Sequence, residues 1–508
     1  MSRVKFSVSM TSDCDRQLRK HLLRFDGQED LCFAIWHPSQ GATRMTAVVR
    51  VPILPVAGDR NVHGNASFNP AYLERALSAA AAAGGGLALL HSHPSSQGWQ
   101  GMSPDDVNAE NGRAAAVLGA TGFPLVGLTL AGDRTWSARF WPKVAPRTYQ
   151  REFCGSVRVV GDNMVSHFFD DLAPRPRVTG RQIRTVSSWG PRRQENLTRL
   201  RVGVVGAGSV GGLIAEGLAR TGFEDVSLID FDHIEDHNLD RLVYATPDDI
   251  GHVKVDVLAE RLKRSTTAGN FRAVPFNTSV YQEAGFRAAL DCDILFSCVD
   301  RPWGRHVLNL IAYAHLIPVY DGGIAVKVSS RGELQRADWK AHTCAPGRPC
   351  LACLGQYSTG LVQAEREGML DDPTYIAGLP DDHPLKSRQN VFAFSMSCAS
   401  FQMMQMLGHV ISPLGLTGPN PQLYHFVGSF LEMDAKPPEA CQDHCLFAEM
   451  VGMGDHAGFD ILAQHDDPVA GHEAELAGSS NTPQQSPSWI SRIIGFFKGQ
   501  LKWGRSAE

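Results

Sequence analysis

A chain of 508 residues exceeds what one hydrophobic core organises, so two sizeable domains with connecting segments are expected. With 43% hydrophobic and 20% charged residues it reads as ordinary globular material, and a formal charge of -5 gives nucleic acid nothing to hold. The opening MSRVKFSVSMTSD contains no apolar signal core, and no stretch approaches the roughly 18 apolar residues of a bilayer span, so a cytoplasmic protein is expected.

Residues 1–150 alternate short β-type runs (Leu31 to Trp36, Met45 to Val51, Leu87 to Leu90, Leu125 to Leu130) with an Ala-rich helix from Pro70 to Ala83. That pattern predicts a compact α+β domain. Directly after the apolar run Leu87–Leu90 comes His91-Ser-His93-Pro, then Ser103-Pro-Asp-Asp106. Two histidines one residue apart at the mouth of a strand project to the same side, and a carboxylate a short loop later supplies a third ligand. The fourth tetrahedral position is left for water, which is the layout of a catalytic zinc site.

These residues resemble the JAMM (MPN/JAB) metalloprotease family, whose signature is a distant glutamate, then His-x-His-Pro, then Ser-x-x-Asp. The resemblance implies that His91, His93 and Asp106 bind catalytic Zn²⁺ and that Ser103 hydrogen-bonds the water or the tetrahedral oxyanion. It implies Glu29 as general acid/base, with the adjacent Asp30 separated only by register, and cleavage after the C-terminal glycine of a ubiquitin-like protein. Nine residues lie between His93 and Ser103, about two more than the family pattern; loop length is thermodynamically cheap, so a longer or bulged loop is expected with the ligands unmoved.

From Phe153 to Arg193 periodicity is lost and Pro174, Pro176, Gly180 and Pro191 accumulate, so residues 151–178 are expected to be a linker. From Leu200 apolar strands alternate with helical segments: RVGVVG, Val210 to Thr221, VSLID, Val253 to Lys263, DILFSCV, IPVYDGG. This spacing predicts a doubly wound, Rossmann-like parallel sheet over residues 179–452, making the chain an α/β multidomain protein. Gly206, Gly208 and Gly211 sit between a strand and a helix, where backbone N–H groups can approach phosphate, and Asp230 closes the second strand, where a carboxylate can hold ribose.

A dehydrogenase would show the same glycines. The continuation Asp230-Phe-Asp232, Asn238-Leu-Asp-Arg241 instead resembles the ThiF/MoeB/HesA family, prokaryotic relatives of ubiquitin-activating enzymes. The resemblance implies Lys254 as the phosphate-binding lysine and Asp300 as the Mg²⁺-associated aspartate. Arg305 and Asn309 repeat the family's D-x(4)-R-x(3)-N pattern. Arg241, Lys254 and Mg²⁺ at Asp300 would neutralise charge building on ATP while pyrophosphate leaves. Arg181 resembles the arginine that reaches a neighbouring subunit's ATP site, which implies a homodimer; the alternative is a solvated linker charge.

Cys350-x-x-Cys353 and Cys441-x(3)-Cys445 resemble the family's structural zinc set, with His444 as an alternative to one thiolate. Cys398, Cys292 and Cys298 read as buried, so the chain stops at the acyl-adenylate or uses Cys344 as a thioester acceptor. Residues 453–488 are expected to be a disordered linker. In 489–505, Ile490, Ile493, Ile494, Phe497 and Leu501 share one face of an amphipathic helix that packs on protein or rests on a membrane surface.

The two resemblances together imply a bifunctional enzyme of a ubiquitin-like or sulfur-carrier protein ending in glycine. One half adenylates the carrier with Mg-ATP and the other cleaves it. A conjugating enzyme is an expected further partner, and an antiphage conjugation pathway the biological setting by resemblance. The alternatives are sulfur-carrier chemistry for cofactor or cysteine biosynthesis, and a non-catalytic carrier-binding scaffold.

Overall fold

Two mixed sheets are built from the apolar runs. The computed structural model describes residues 5–63, 65–371, 377, 389–433 and 441–457. The expected amphipathic helix at 489–505, and the 458–488 part of the expected disordered linker, lie outside the described residues.

The N-terminal sheet has nine strands. Its centre runs, in spatial order, Trp136–Trp141, Leu125–Ala131, Gly86–His93, Leu31–Gln40, Met45–Ile53, Phe6–Thr11 and Ser156–Val160. Alternation along the strands assigns two cores. Leu31, Phe33, Ile35, Leu87 and Leu89 pack with Tyr72, Ala76 and Ala80 of the helix Pro70–Ala82 and with Ala114 and Val117 of the helix Pro104–Thr121. Cys32, Ala34, Trp36, Ala88 and Leu90 face the opposite way, onto Cys14, Leu18 and Leu22 of the helix Ser12–Leu22.

The second sheet has eight strands. Arg272–Phe276, Asp225–Ile229, Arg201–Val205, Ile294–Ser297 and Val319–Val328 run parallel in that spatial order, and Leu334–Cys344, Gln422–His425 and Phe430–Met433 extend it antiparallel. Strand order reverses direction between Arg201–Val205 and Ile294–Ser297. Such a switch point opens a crevice at the carboxyl ends of the strands.

Residues 151–178 are not the expected linker throughout. Glu152–Phe153, Ser156–Val160 and Met164–Phe168 are strands of the N-terminal sheet, and Ser156–Val160 pairs in parallel with Phe6–Thr11. Arg158 disguised this strand, because a charge in an apolar run argues against burial. The charge is paired across the junction. Asp293, which precedes the strand Ile294–Ser297, accepts from Arg44 Nη1 at 2.7 Å and from Arg158, and its other oxygen accepts from Arg201 N–H at 2.9 Å. Burial alone would raise the Asp293 pKa, but Arg44 and Arg158 hold it well below the usual carboxylate range.

Further contacts join the halves. Asp291 accepts from the Thr43 hydroxyl at 2.6 Å, His315 Nδ1 meets Ser39 Oγ at 2.8 Å, and Val48, Val160 and Met164 pack in one core with Val202, Val204 and Phe296. The beginning of the expected 453–488 linker also differs: Gly454–Ala457 forms a 3-10 turn, with Asp455 accepting from Gln40 N–H at 2.9 Å and His456 against His37. Among the described residues no helix is long and apolar enough to cross a membrane.

Candidate functional site

The first site stands at the end of strand Gly86–His93. His91 and His93, two residues apart, point to one side, and Asp106 reaches them from the first turn of helix Pro104–Thr121. His91 Nε2 and His93 Nε2 are 3.2 Å apart, and the Asp106 oxygens lie 3.5 Å from His91 Nε2 and 3.6 Å from His93 Nε2. Ligands at zinc distances of about 2.05 Å span tetrahedron edges of about 3.3 Å, so these three donors form one face of such a tetrahedron. The set fits zinc.

Sequence places Asp106 by a capping box. Ser103 Oγ accepts from Asp106 N–H at 3.1 Å while Asp106 accepts from Ser103 N–H at 2.9 Å, and Pro104 opens the helix. Burial would raise the Asp106 pKa, but the neighbouring His93 and His91 rings and the Ser103 N–H hold it below the carboxylate range. Burial pushes His91 down to about 3, which keeps its ring neutral, the form that ligates.

Glu29 and Asp30 differ in their partners. Asp30 is buried, with Arg60 Nε 2.5 Å from Oδ1 and Leu31 N–H donating to the same oxygen at 2.8 Å. It is a brace. Glu29 is half-buried, and burial raises its pKa, with His93 and Asp106 as the charges that act on it.

The second site lies at the switch point. Gly206 adopts φ 95°, and a Cβ there would press on the Cys298 carbonyl; a Cβ on Gly211 would overlap the Gly206 carbonyl oxygen. Gly208, the N-cap of helix Ser209–Thr221, faces open space, and no side chain caps that helix. Its first N–H groups suit phosphate. Asp230 accepts from Ala207 N–H at 2.6 Å and from Asp232 N–H at 2.7 Å, and Lys254 Nζ is 2.7 Å from Asp232 Oδ2. Burial, then the neighbouring Asp232, raises the Asp230 pKa.

Other expected residues sit differently. Asn238 is buried and its Oδ1 accepts from Glu235 N–H at 3.2 Å, closing a 3-10 turn of the backbone. Arg241 donates to His237 O at 2.6 Å and to Asp240 at 2.9 Å. Asp300 is exposed on the loop leaving strand Ile294–Ser297. Arg181 is exposed in the turn Gly180–Gln182.

Cys350, Cys353, Cys441 and Cys445 converge, with Cys350 Sγ and Cys445 Sγ 3.7 Å apart. A tetrahedron with Zn–S of about 2.3 Å has edges of about 3.8 Å, so four thiols fit one zinc. N–H groups of Cys353 and Gln442 donate to the sulfurs of Cys350 and Cys353, both at 3.4 Å. His444 is exposed, with φ 62°, so it is not the fourth member.

A family model described as the ThiF family matches residues 179–442. The chain belongs to the ThiF family. It is 27% identical over 270 residues to ubiquitin-like modifier-activating enzyme 5 of Drosophila willistoni, covering 50% of this chain and 60% of that protein. It is 33% identical over 113 residues to tRNA threonylcarbamoyladenosine dehydratase of Escherichia coli K12, covering 21% of this chain and 42% of that one. The chain thus spans less than two thirds of either relative. The structure of E. coli MccB with MccA is 16% identical, with a TM-score of 0.40, covering 54% of this chain and 75% of that chain.

Within the ThiF half, Asn309 belongs to the four-cysteine end rather than the crevice: its Oδ1 accepts from Leu351 N–H at 3.0 Å and from the Cys344 thiol at 3.1 Å. Cys344 is fully buried and burial holds its pKa well above the thiol range, so it offers no accessible thioester acceptor. Two residues escaped sequence reasoning. Asp321 is buried, accepting from Ser297 Oγ at 2.6 Å and Arg305 Nε at 3.2 Å, and Lys340 is pushed down to about 8 by burial. Both line a recess with His342, Gln356 and Glu432. The YDGG run at Asp321 was the only signal, and it read as a strand end.

Proposed function

We propose that the ThiF half adenylates the C-terminal glycine of a ubiquitin-like or sulfur-carrier protein, and that the N-terminal half is a JAMM-type metallo-isopeptidase acting on the same carrier. The observation that carries the hydrolytic reading is the His91, His93 and Asp106 triangle, whose edges of 3.2, 3.5 and 3.6 Å suit one tetrahedral ion. When bound there, zinc supplies a Lewis acid and an acidified water. Glu29, desolvated beside His93 and Asp106, takes a proton from the attacking water and returns it to the leaving amine. The Ser103 hydroxyl still has its proton to donate, because its lone pair serves Asp106 N–H.

In the crevice, the uncapped start of helix Ser209–Thr221 and Lys254 receive the phosphates, and Asp230 the ribose. Mg²⁺ held near Asp300 would offset charge on the departing pyrophosphate. The carrier's carboxylate then attacks the α-phosphate in line.

The relatives whose names concern ubiquitin-like modifiers and sulfur transfer, the latter an adenylyltransferase and sulfurtransferase MOCS3 of Caenorhabditis briggsae that is 27% identical over 169 residues, support both carrier classes. One observation favours the sulfur-carrier reading. None of the eleven cysteines is exposed, and burial raises the thiols of Cys292 and Cys398 to about 12 and that of Cys298 well above the usual value. Of the four partly exposed cysteines, Cys353, Cys441 and Cys445 belong to the four-thiol set and Cys298 is held as the thiol, so the adenylate passes to another molecule's nucleophile.

The test is incubation with Mg-ATP and a ubiquitin-fold carrier ending in glycine, followed by mass spectrometry for an AMP-linked C-terminus. A carrier extended beyond that glycine tests cleavage. A well-folded, zinc-loaded protein that leaves every such extension and isopeptide intact would overturn the hydrolytic half.

A further inference from the structure

The loop between His93 and Ser103 does more than connect a strand to a helix. We propose that Gln100 is a positioning residue for His93, its amide fixing which ring nitrogen faces the metal position. This rests on reading His91, His93 and Asp106 as a zinc set.

The loop is pinned from several sides. Gln100 N–H donates to Ser137 Oγ at 2.6 Å, and Gly98 N–H donates to Asp133 at 2.9 Å. Gly132 N–H donates back to Ser96 O at 2.9 Å, and the Trp99 ring stacks on Phe169 with centroids 5.3 Å apart and planes 18° apart. Gln100 therefore enters the site on a fixed backbone.

Its side chain has one orientation. Nε2 lies 2.9 Å from Gln97 O and 2.9 Å from Gly98 O. Two carbonyl oxygens can be met only by the donor end of an amide, so the nitrogen is assigned there and the oxygen is turned the other way. That oxygen, Oε1, lies 3.3 Å from His93 Nδ1. A pure acceptor at Nδ1 requires the proton on Nδ1. The Nε2 lone pair is then directed to the side where His91 Nε2 stands 3.2 Å away and Asp106 Oδ2 3.6 Å away. A metal-ligating histidine whose second nitrogen donates to an oriented acceptor is held in tautomer and ring plane, and loss of the acceptor costs about 10- to 100-fold in metal affinity.

The bland account makes Gln100 a loop brace whose nearness to His93 has no effect on ligation. Cobalt(II) titration of the full-length protein separates the two. The His91 set gives d–d absorption without the sulfur-to-cobalt charge transfer that marks the Cys350 set. Gln100→Leu is expected to weaken cobalt and zinc at the His91 set 10- to 100-fold, with the Cys350 set unchanged. A second measurement needs no variant: in zinc-loaded protein with ¹⁵N-labelled histidine, His93, assigned by its loss in His93→Gln, should carry its proton on Nδ1. Equal affinity in Gln100→Leu, or a proton on His93 Nε2, overturns the assignment of Gln100 alone. Wild-type protein that takes no metal at the His91 set overturns the zinc reading and this inference with it.

Discussion

Arg44, in the turn before the third strand of the N-terminal sheet, puts Nη1 2.7 Å from Oδ1 of Asp293 in the ThiF half, and both side chains are almost fully buried. Arg158 shares that carboxylate. Two guanidinium groups and one carboxylate, removed from water, form one of the ties between the halves.

Removing the carboxylate leaves two buried cations uncompensated. Asp293→Ala should lower stability by about 3–5 kcal/mol, measured by urea denaturation. Wild-type protein should unfold the two sheets in one transition; two well-separated transitions would contradict the shared core. The pH sign follows from the depressed Asp293 pKa. Its contribution is complete above the unfolded value near about 4 and is lost as pH falls through the folded value, so acid should destabilise wild type more than the variant.

The two chemistries should separate genetically. Glu29→Ala is expected to slow carrier cleavage by about 100- to 10,000-fold while AMP transfer continues. Asp300→Ala should do the reverse, with transfer reduced by at least about 100-fold. Mass spectrometry reads one product and a cleavage gel the other, and loss of both activities in either folded variant would contradict independent sites.

Metal content tests the donor sets directly. Two His/Cys/Asp/Glu groups suited to a metal are found among the described residues, so purified protein should carry two zinc ions per chain. Cys445→Ser should reduce that to one, while His444→Ala leaves it at two, read by elemental analysis.

Glu365 introduces a pH dependence near neutrality. Its carboxylate accepts from Trp303 N–H at 2.8 Å at the start of helix Pro302–Ala314, and burial pushes its pKa up to about 7. The folded state therefore holds a proton that the unfolded chain releases near pH 4.5, the ordinary value for glutamate. Stability from this group is complete below that value and declines as pH rises to about 7. Glu365→Gln should flatten the difference in urea midpoint between pH 5 and pH 8; an unchanged slope would show that Glu365 does not titrate there.

Local patterns were enough to find the side chains that converge in the candidate sites. His-x-His-Pro with Ser-x-x-Asp, and the glycine run before helix Ser209–Thr221, are short because strand ends and helix starts set the geometry within a few residues. The four thiols were also readable as two pairs, though only the fold excluded His444. Long-range pairings left no such trace. Arg44 and Asp293 are 249 residues apart, and neither has a neighbour in sequence that announces the other. Arg158 broke the apolar pattern of its strand for the same reason, and the strands Phe6–Thr11, Trp136–Trp141 and Arg272–Phe276 went unread where polar residues interrupt them. Asn238 and Asn309 matched family positions, yet one closes a turn and the other ties Cys344 to Leu351. A motif fixes where a residue lies on the chain more firmly than what its side chain touches.

The Arg44, Arg158 and Asp293 cluster also bears on how such a protein can change over generations. Exchange of either half for a counterpart from another lineage would strand an ion in a dry interior unless all three positions travelled as a set. Recombination of the N-terminal and ThiF halves, simple for parts on a tether, is here opposed by electrostatics.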